Sequence, residues 1–182
     1  RARLAVITRP GRAPALLGRT AVEQRRRRRR HPPLAFGHGN AVGGDCFDAL
    51  TFTNGGVGLT IADVAGKGVP AALLMSNLQA AVRAFAQEGT APGSVCTSVN
   101  RLLCRNMASG RFVTFCYVRI DTAGRRLKYA DAGHNPPLLV RTGGHVDLPA
   151  PSGTVLGVFA ESAYEQGDFT IAPGDRLILY TD

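Results

Sequence analysis

The chain has 182 residues, which is enough for one domain with a packed core and too few for two comfortable ones. Its net charge of +9 belongs to the N-terminus, where residues 1–31 hold 11 of the 22 Lys and Arg residues and one acid. Residues 32–182 hold 11 basic and 12 acidic residues, which excludes a strongly basic folded domain. No apolar run approaches the roughly 20 residues of a membrane-spanning helix, so we expect no membrane insertion.

Residues 1–31 are rich in Arg, Ala and Pro and end near the run Arg25–Arg30. Because they show little hydrophobic periodicity, we predict a disordered or weakly helical tail in front of a folded domain at residues 32–182. An arginine run can bind nucleic acid by releasing counterions, but no aromatic residue is interleaved with this one. A solvated tail is therefore the favoured interpretation, with nucleic-acid binding as the alternative.

The cysteine pattern favours a reducing compartment. The four cysteines form no C-x-x-C pair and have no histidine at zinc-ligand spacing. The N-terminal arginines are not followed by a continuous apolar segment, so no secretory signal is predicted. We therefore expect a cytoplasmic location.

The first half of the folded region predicts strands followed by helices. Leu34–Leu50 contains several glycines and predicts a strand broken by a bend. Val57–Ile61 is apolar and β-branched, which indicates a buried strand with Asp63 at its end. Helical periodicity then predicts two consecutive helices, at about Val69–Ala86 and Pro92–Ala108.

From residue 112 onward the pattern alternates as it does in strands. Three pairs of segments flank turn sequences and predict hairpins: Phe112–Ile120 with Arg126–Ala130, Pro137–Arg141 with His145–Leu148, and Gly167–Ile171 with Arg176–Tyr180. Strands, two helices and then hairpins differ from the alternation of a doubly wound fold. The order predicts an α+β fold with largely antiparallel sheet.

Acidic residues stand at predicted strand ends and tight turns: Asp45 with Asp48, then Asp63, then Asp182. Carboxylates gathered in this way repel one another unless a cation lies between them. Oxygen-only ligand sets suit Mg²⁺ or Mn²⁺. The alternative for Asp63 is that it caps the helix that follows.

Rival motifs near these residues are set aside. Gly66-Lys67-Gly68 is not a P-loop, because Gly68 stands where Ser or Thr is required, and it lacks the context of a dinucleotide fingerprint. Asp131 and His134 suggest a catalytic His–Asp pair, but no serine or cysteine has the context of a nucleophile. A general-base role for His134 is therefore not favoured.

Four ordered segments resemble the successive signatures of one family. They are VGGDCFD at Val42–Asp48, DVAGKGVPAA at Asp63–Ala72, AGHNPP at Ala132–Pro137, and PGDRLILYTD at Pro173–Asp182. Together they are similar to the signatures of bacterial PPM-type serine/threonine phosphatases of the SpoIIE/RsbU class. The resemblance covers about residues 34–182 and does not extend to the arginine-rich tail.

The resemblance implies a sandwich of two antiparallel β-sheets flanked by helices, with a centre of two divalent cations, Mn²⁺ or Mg²⁺. It implies that Asp45, Asp63 and Asp182 are metal ligands, assisted by the main-chain carbonyl of Val64. Asp45 and Asp63 would be the catalytic residues. The implied reaction is metal-dependent hydrolysis of phosphoserine or phosphothreonine by an activated water.

The resemblance also gives the glycines a structural part. Gly43 and Gly44 would keep space near the site. Gly66 and Gly68 would let the chain turn sharply beside the metals.

Substrate contacts are implied for Lys67, His134 and Asn135, with a solvated turn residue as an equal alternative for Lys67. The implied partner is a phosphorylated regulatory protein, such as the anti-anti-sigma factor of a partner-switching system.

The family pattern continues after the position of Asp182 with a glycine, further strand and helix, and a late aspartate pair that supplies another metal ligand. We therefore expect these residues to form a partial phosphatase domain that is incomplete at its C-terminus. The alternative function is a non-catalytic, degenerate phosphatase-fold interaction module, which would bind a partner without assembling two metals.

Overall fold

The computed structural model describes residues 3–8, 34–36, 45–66, 68–107, 110–148 and 153–181. These residues form two helices and two five-stranded sheets in an α+β arrangement. In chain order the elements are β1 Arg3–Thr8, β2 Leu34–Phe36, β3 Asp45–Thr51, β4 Val57–Val64, α1 Val69–Phe85, α2 Pro92–Asn106, β5 Val113–Asp121, β6 Arg126–Ala132, β7 Leu138–Val140, β8 Val146–Asp147, β9 Gly167–Thr170 and β10 Arg176–Thr181.

The first sheet has the order β3-β4-β5-β6-β9 and is antiparallel throughout. Its strand β4 is buried along nearly its whole length, as the apolar, β-branched run that begins at Val57 predicted. The strand extends beyond Ile61, because each residue up to Val64 pairs with β5. Asp63 is therefore the next-to-last residue of a fully paired strand.

The second sheet has the order β2-β1-β10-β7-β8 and is mixed. β10 is antiparallel to β7 but parallel to β1, which is also parallel to β2. Strand β1 lies in the segment predicted to be a disordered or weakly helical tail, which corrects that prediction for these six residues. The β-branched residues Val6, Ile7 and Thr8 favour an extended strand, and β10 provides the edge with which they pair. The run Arg25–Arg30 lies outside the described residues.

Two apolar layers hold the sheets and helices together. One lies between the helices and the first sheet and includes Ala62 and Val64 of β4. The other lies between the two sheets and includes Leu59 and Ile61 of β4. Because side chains alternate along a strand, position 63 falls on the face that is turned toward the second sheet.

The two predicted helices are confirmed. Both begin with a proline in the first turn, where its missing N–H costs no helical hydrogen bond. The buried faces contain members of the predicted apolar stripes: Leu74, Leu78, Ala81 and Val82 in α1, and Val95, Val99 and Leu103 in α2. No helix in the described part of the chain has the length and apolar character needed to cross a bilayer.

Two of the three predicted hairpins are confirmed, and the third is wrong. β5 pairs with β6, and β7 pairs with β8. In contrast, β9 pairs with β6 in the first sheet, whereas β10 pairs with β7 in the second. The reason lies in Asp175, whose carboxylate accepts N–H groups both from Ala172 in its own turn and from Thr142 after β7. This carboxylate directs the chain from one sheet to the other.

Candidate active site

Two predicted metal ligands face each other on neighbouring strands. Asp45 on β3 and Asp63 on β4 are direct partners in the antiparallel register, and Asp63 is partly exposed. Like charges at directly opposed positions destabilise a sheet. Carboxylate oxygens are ligands that a hard divalent cation prefers, and this register brings two carboxylate-bearing residues to one strand end.

The remaining predicted ligands are a main-chain carbonyl and a third carboxylate. Val64 ends β4 beside Asp63 and is buried. Asp182 lies outside the described residues, as do Gly43, Gly44 and Lys67. Among the described residues, no group of three or more His, Cys, Asp and Glu side chains could hold a metal ion. The Asp45–Asp63 pair is thus the part of the predicted ligand set that the structure brings together.

The turn after β4 leaves open space around its first glycine. The N–H of Ala65 donates to the carbonyl of Phe112 at 3.0 Å and ties the turn to the start of β5. Gly66 then adopts a φ of 123°, which side chains other than glycine rarely accept. Among the described residues, a Cβ at Gly66 would meet no heavy atom within 4 Å. Gly68 follows with a φ of 78°.

Asp63 does not cap the helix that follows. The N-cap residue of α1 is Gly68, and no side-chain hydrogen bond caps this end of the helix. The alternative that Asp63 is the N-cap residue of this helix is therefore wrong.

Asp48, which the sequence places beside Asp45, belongs to the scaffold. Arg83 of α1 donates from Nη2 to both carboxylate oxygens of Asp48, at 2.7 and 2.6 Å. Gln79, one turn earlier, donates from Nε2 to Sγ of Cys46 at 2.9 Å. These two helix residues share one face because they are four positions apart. Sequence reasoning missed them, although their spacing was a visible signal.

The AGHNPP motif forms a turn whose main chain is fixed by a carboxylate. Oδ1 of Asp131 accepts the main-chain N–H of His134 at 3.0 Å. Gly133 between them has a φ of 68°, and a Cβ there would lie 2.7 Å from Cγ1 of Val155. Asp131 thus orients the turn through its main chain, which differs from the ring contact of a catalytic His–Asp pair.

The ring of His134 makes two hydrogen bonds although only 7% of the residue is exposed. Nε2 lies 3.2 Å from the carbonyl oxygen of Tyr180, and Nδ1 lies 2.8 Å from Oγ1 of Thr114. Because a carbonyl can only accept, Nε2 donates to Tyr180. In the neutral ring, Nδ1 then accepts the hydroxyl proton of Thr114.

These two contacts place the ring between β5, the neighbour of the strand that carries Asp63, and β10. Thr114 is the register partner of Asp63, and its Oγ1 lies 3.5 Å from the main-chain oxygen of Asp63. Tyr180 precedes Asp182 by two residues in the sequence. The ends of β4 and β10 therefore meet at His134.

Asp131 is a buried carboxyl group, with 0% of the residue exposed. Its burial raises the pKa to about 6, and the N–H groups of His134 and Ala132 lower it only in part. Oδ2 of Asp131 has no hydrogen-bond partner among the described residues. This turn is therefore sensitive to the protonation state of one carboxyl group.

A family comparison agrees with this arrangement. Residues 53–182, more than half of the chain, match the family model of stage II sporulation protein E (SpoIIE). The chain belongs to the SpoIIE family. The matched part contains Asp63, His134 and Tyr180, whereas Asp45 lies in front of it.

A curated relative and solved structures resemble this chain over most of its length. It is 34% identical over 128 residues to phosphoserine phosphatase RsbU of Bacillus subtilis (strain 168), a match that covers 69% of this chain and 38% of RsbU. The chain thus spans about two fifths of the length of this relative.

Solved structures confirm the predicted fold. The RsbU and RsbW domains of Rv1364c from Mycobacterium tuberculosis match with a TM-score of 0.66 and 31% identity, over 75% of this chain and 38% of that one. The SiaA-PP2C domain of Pseudomonas aeruginosa matches with a TM-score of 0.63 and 24% identity, over 74% of this chain and 53% of that one. The α+β, PPM-type phosphatase fold is therefore shown.

Proposed function

We propose that this chain is the phosphatase domain of a protein that hydrolyses phosphoserine or phosphothreonine in a regulatory protein, with the help of two divalent cations. The observation that carries the proposal is the register pair Asp45–Asp63 at the end of the intersheet layer. Membership of the SpoIIE family and the likeness to a phosphoserine phosphatase support it.

The residues present fit a site for Mn²⁺ or Mg²⁺. The donors are carboxylate oxygens of Asp45, Asp63 and Asp182 and the carbonyl oxygen of Val64, and such oxygen sets suit hard cations. The strand register puts two of these donor residues, Asp45 and Asp63, at directly opposed positions. When bound, the cations supply a water of lowered pKa and neutralise charge on the phosphoryl oxygens.

The chain's own residues hold the ligands in place and leave room for the substrate. The pairing of β4 with both β3 and β5 fixes the main chain at Asp63. The open turn at Gly66 gives a phosphorylated side chain space to approach. Lys67 and Asn135, which follow Gly66 and His134 in the sequence, are the side chains that we propose to contact the phosphate. Gly43, Gly44 and Gly68 would shape the surrounding loops.

For the partner we propose a phosphorylated protein of the anti-anti-sigma-factor type. RsbU is named a phosphoserine phosphatase, and the Mycobacterium tuberculosis structure contains an RsbU domain together with an RsbW domain. These relatives support a phosphoprotein substrate in a partner-switching system.

The proposal is tested by phosphate release from a phosphoserine peptide in the presence of Mn²⁺. We expect hydrolysis that a chelator abolishes. Asp63→Asn should reduce turnover at least about 100-fold, because it removes the charge that holds the cation. Calorimetric titration with Mn²⁺ should show weaker binding in the same variant.

The matched control is Asp48→Asn. Asp48 lies on the same strand as Asp45, but its carboxylate is paired with Arg83. This variant should keep the turnover of the wild type. Unchanged turnover in Asp63→Asn would refute the proposal. A wild-type protein that binds no Mn²⁺ but still binds its protein partner would instead favour the non-catalytic interaction module.

A further inference from the structure

We infer that His134 is a positioning residue that sets the distance between the end of β4, which carries Asp63, and the end of β10, the strand that precedes Asp182 in the sequence. The inference rests on the proposed function, since it concerns the ligands proposed there. It gives His134 a task different from the phosphate contact that the family resemblance implied.

The first argument is the location of the ring between the two sheets. Nδ1 is bonded to Thr114 of β5 in the first sheet, and Nε2 is bonded to Tyr180 of β10 in the second. Thr114 is paired with Asp63, and Tyr180 stands two residues before Asp182. A change in the ring therefore acts on β10 directly and on β4 through its pairing with β5.

The second argument is that both ring nitrogens are engaged by the protein. The two contacts, at 2.8 and 3.2 Å, engage both ring nitrogens. A residue that is 7% exposed and bonded on both nitrogens is built to hold strands in place. Asn135, which is partly exposed, and Lys67 remain the candidates for the phosphate contact.

The third argument is that the main chain beneath the ring has little freedom. Asp131 accepts the N–H of His134, and Gly133 forms a bridge with Phe115. The close approach of Gly133 to Val155 fixes the turn from the other side. A ring held by such a turn can fix the spacing between β4 and β10, in the way that outer hydrogen-bond partners fix the position of metal ligands.

The test compares Mn²⁺ affinity, measured by calorimetry, in three variants. His134→Ala removes both links and should raise the Kd about 10- to 100-fold. Thr114→Val removes only the hydroxyl that faces Nδ1 and should have a smaller effect. His134→Gln keeps a donor that can reach Tyr180 and should recover part of the affinity lost in His134→Ala.

The matched control is Asn100→Ala. Asn100 has 0% exposure and bonds through its side chain to Gly157 and Phe159, which anchor a loop on α2. This variant should lower Tm while leaving the Kd for Mn²⁺ unchanged. A rise in Kd equal to that of His134→Ala would show that loss of stability alone explains the effect, and would overturn the inference.

A second measurement does not depend on the metal. Amide hydrogen exchange in metal-free His134→Ala should become faster at the ends of β4 and β10 than in the wild type, with β7 and β8 unaffected. Unchanged exchange at both strand ends would overturn the inference. Failure of the proposed function would be recognised separately, by a wild type that binds no Mn²⁺ although the exchange pattern changes as expected.

Discussion

The two ends of β10 are joined to the first sheet by different chemistry. At its start, Asp175 forms an ion pair of 3.0 Å with Arg141, which also donates to the carbonyl of Thr170 on β9 at 2.7 Å. At its end, the carbonyl of Tyr180 accepts a hydrogen bond from the imidazole of His134. An ion-pair network thus holds the two sheets together at the start of β10. At the end of β10, the histidine contact sets the geometry of the candidate site.

The buried carboxyl groups at these two ends show the same contrast. Burial raises the pKa of both, but at Asp175 the N–H groups of Ala172 and Thr142 and the guanidinium of Arg141 outweigh it and lower the pKa. At Asp131 burial dominates and raises the pKa to about 6. A guanidinium partner thus lowers the pKa of Asp175, whereas main-chain donors alone leave the pKa of Asp131 raised to about 6.

The largest effect is expected from Asp175→Ala. It removes the buried partner of Arg141 and two acceptors of main-chain N–H groups, so we expect a loss of about 3 kcal/mol in the free energy of unfolding. Urea denaturation would measure it. The Kd for Mn²⁺ should not change, because the site lies at the other end of β10.

The control for this variant is Asp168→Ala, which breaks the pair of Asp168 with Arg126, whose side chains are 31% and 55% exposed. Exposed pairs contribute less than about 1 kcal/mol. Weaker Mn²⁺ binding in Asp175→Ala would contradict the view that the start of β10 serves stability and only its end positions the site.

An intermediate effect is expected from Asp131→Asn, and it depends on pH. Because the folded-state pKa is raised to about 6, the folded protein binds the proton more tightly than the unfolded chain does. The stabilisation from this group is fully present below the unfolded pKa of about 4 and is lost as the pH rises through 6.

Asparagine cannot ionise. The free energy of unfolding of Asp131→Asn should therefore rise relative to the wild type by up to about 2 kcal/mol between pH 4 and pH 7. Urea midpoints at several pH values would measure this difference. Asp175 titrates in the opposite sense: its stabilisation is present above the unfolded pKa and is lost as the pH falls through its lowered folded value. A constant difference between Asp131→Asn and the wild type would refute the role of Asp131.

Local patterns were sufficient to predict most elements, but not how strands pair across the molecule. Periodicity located both helices and the β5–β6 and β7–β8 hairpins, because each signal lies within one segment. Pro173-Gly174-Asp175 has the composition of a hairpin turn, yet the carboxylate of Asp175 also binds groups after β7. That contact joins residues 33 positions apart, so no pattern in the turn itself could reveal it.

The same limit applies to the candidate site. The motifs indicated Asp45, Asp63 and His134, and the register places the first two opposite each other. The partners of the His134 ring, Thr114 and Tyr180, lie 20 and 46 residues away in the chain. The sequence could therefore indicate that His134 matters, but not that it joins two sheets.

The smallest effect concerns the main chain beneath the ring. Gly133→Ala places a Cβ at a φ of 68° and 2.7 Å from Cγ1 of Val155, so it combines backbone strain with a steric clash. Gly144, in the β7–β8 turn, has a φ of 86°, but a Cβ there would meet no atom of the described residues within 4 Å. Gly144→Ala therefore measures the backbone strain without the steric clash. Thermal unfolding should show Gly133→Ala about 1 kcal/mol less stable than Gly144→Ala.

Only the first variant should also weaken Mn²⁺ binding, because only Gly133 sets the position of the His134 ring. Equal Mn²⁺ affinity in the two glycine variants would mean that the His134 ring keeps its hydrogen bonds to Thr114 and Tyr180 when the turn is strained. The spacing of β4 and β10 would then be fixed by the packed sheets, and the His134 contact would not distinguish the site end of β10 from its start.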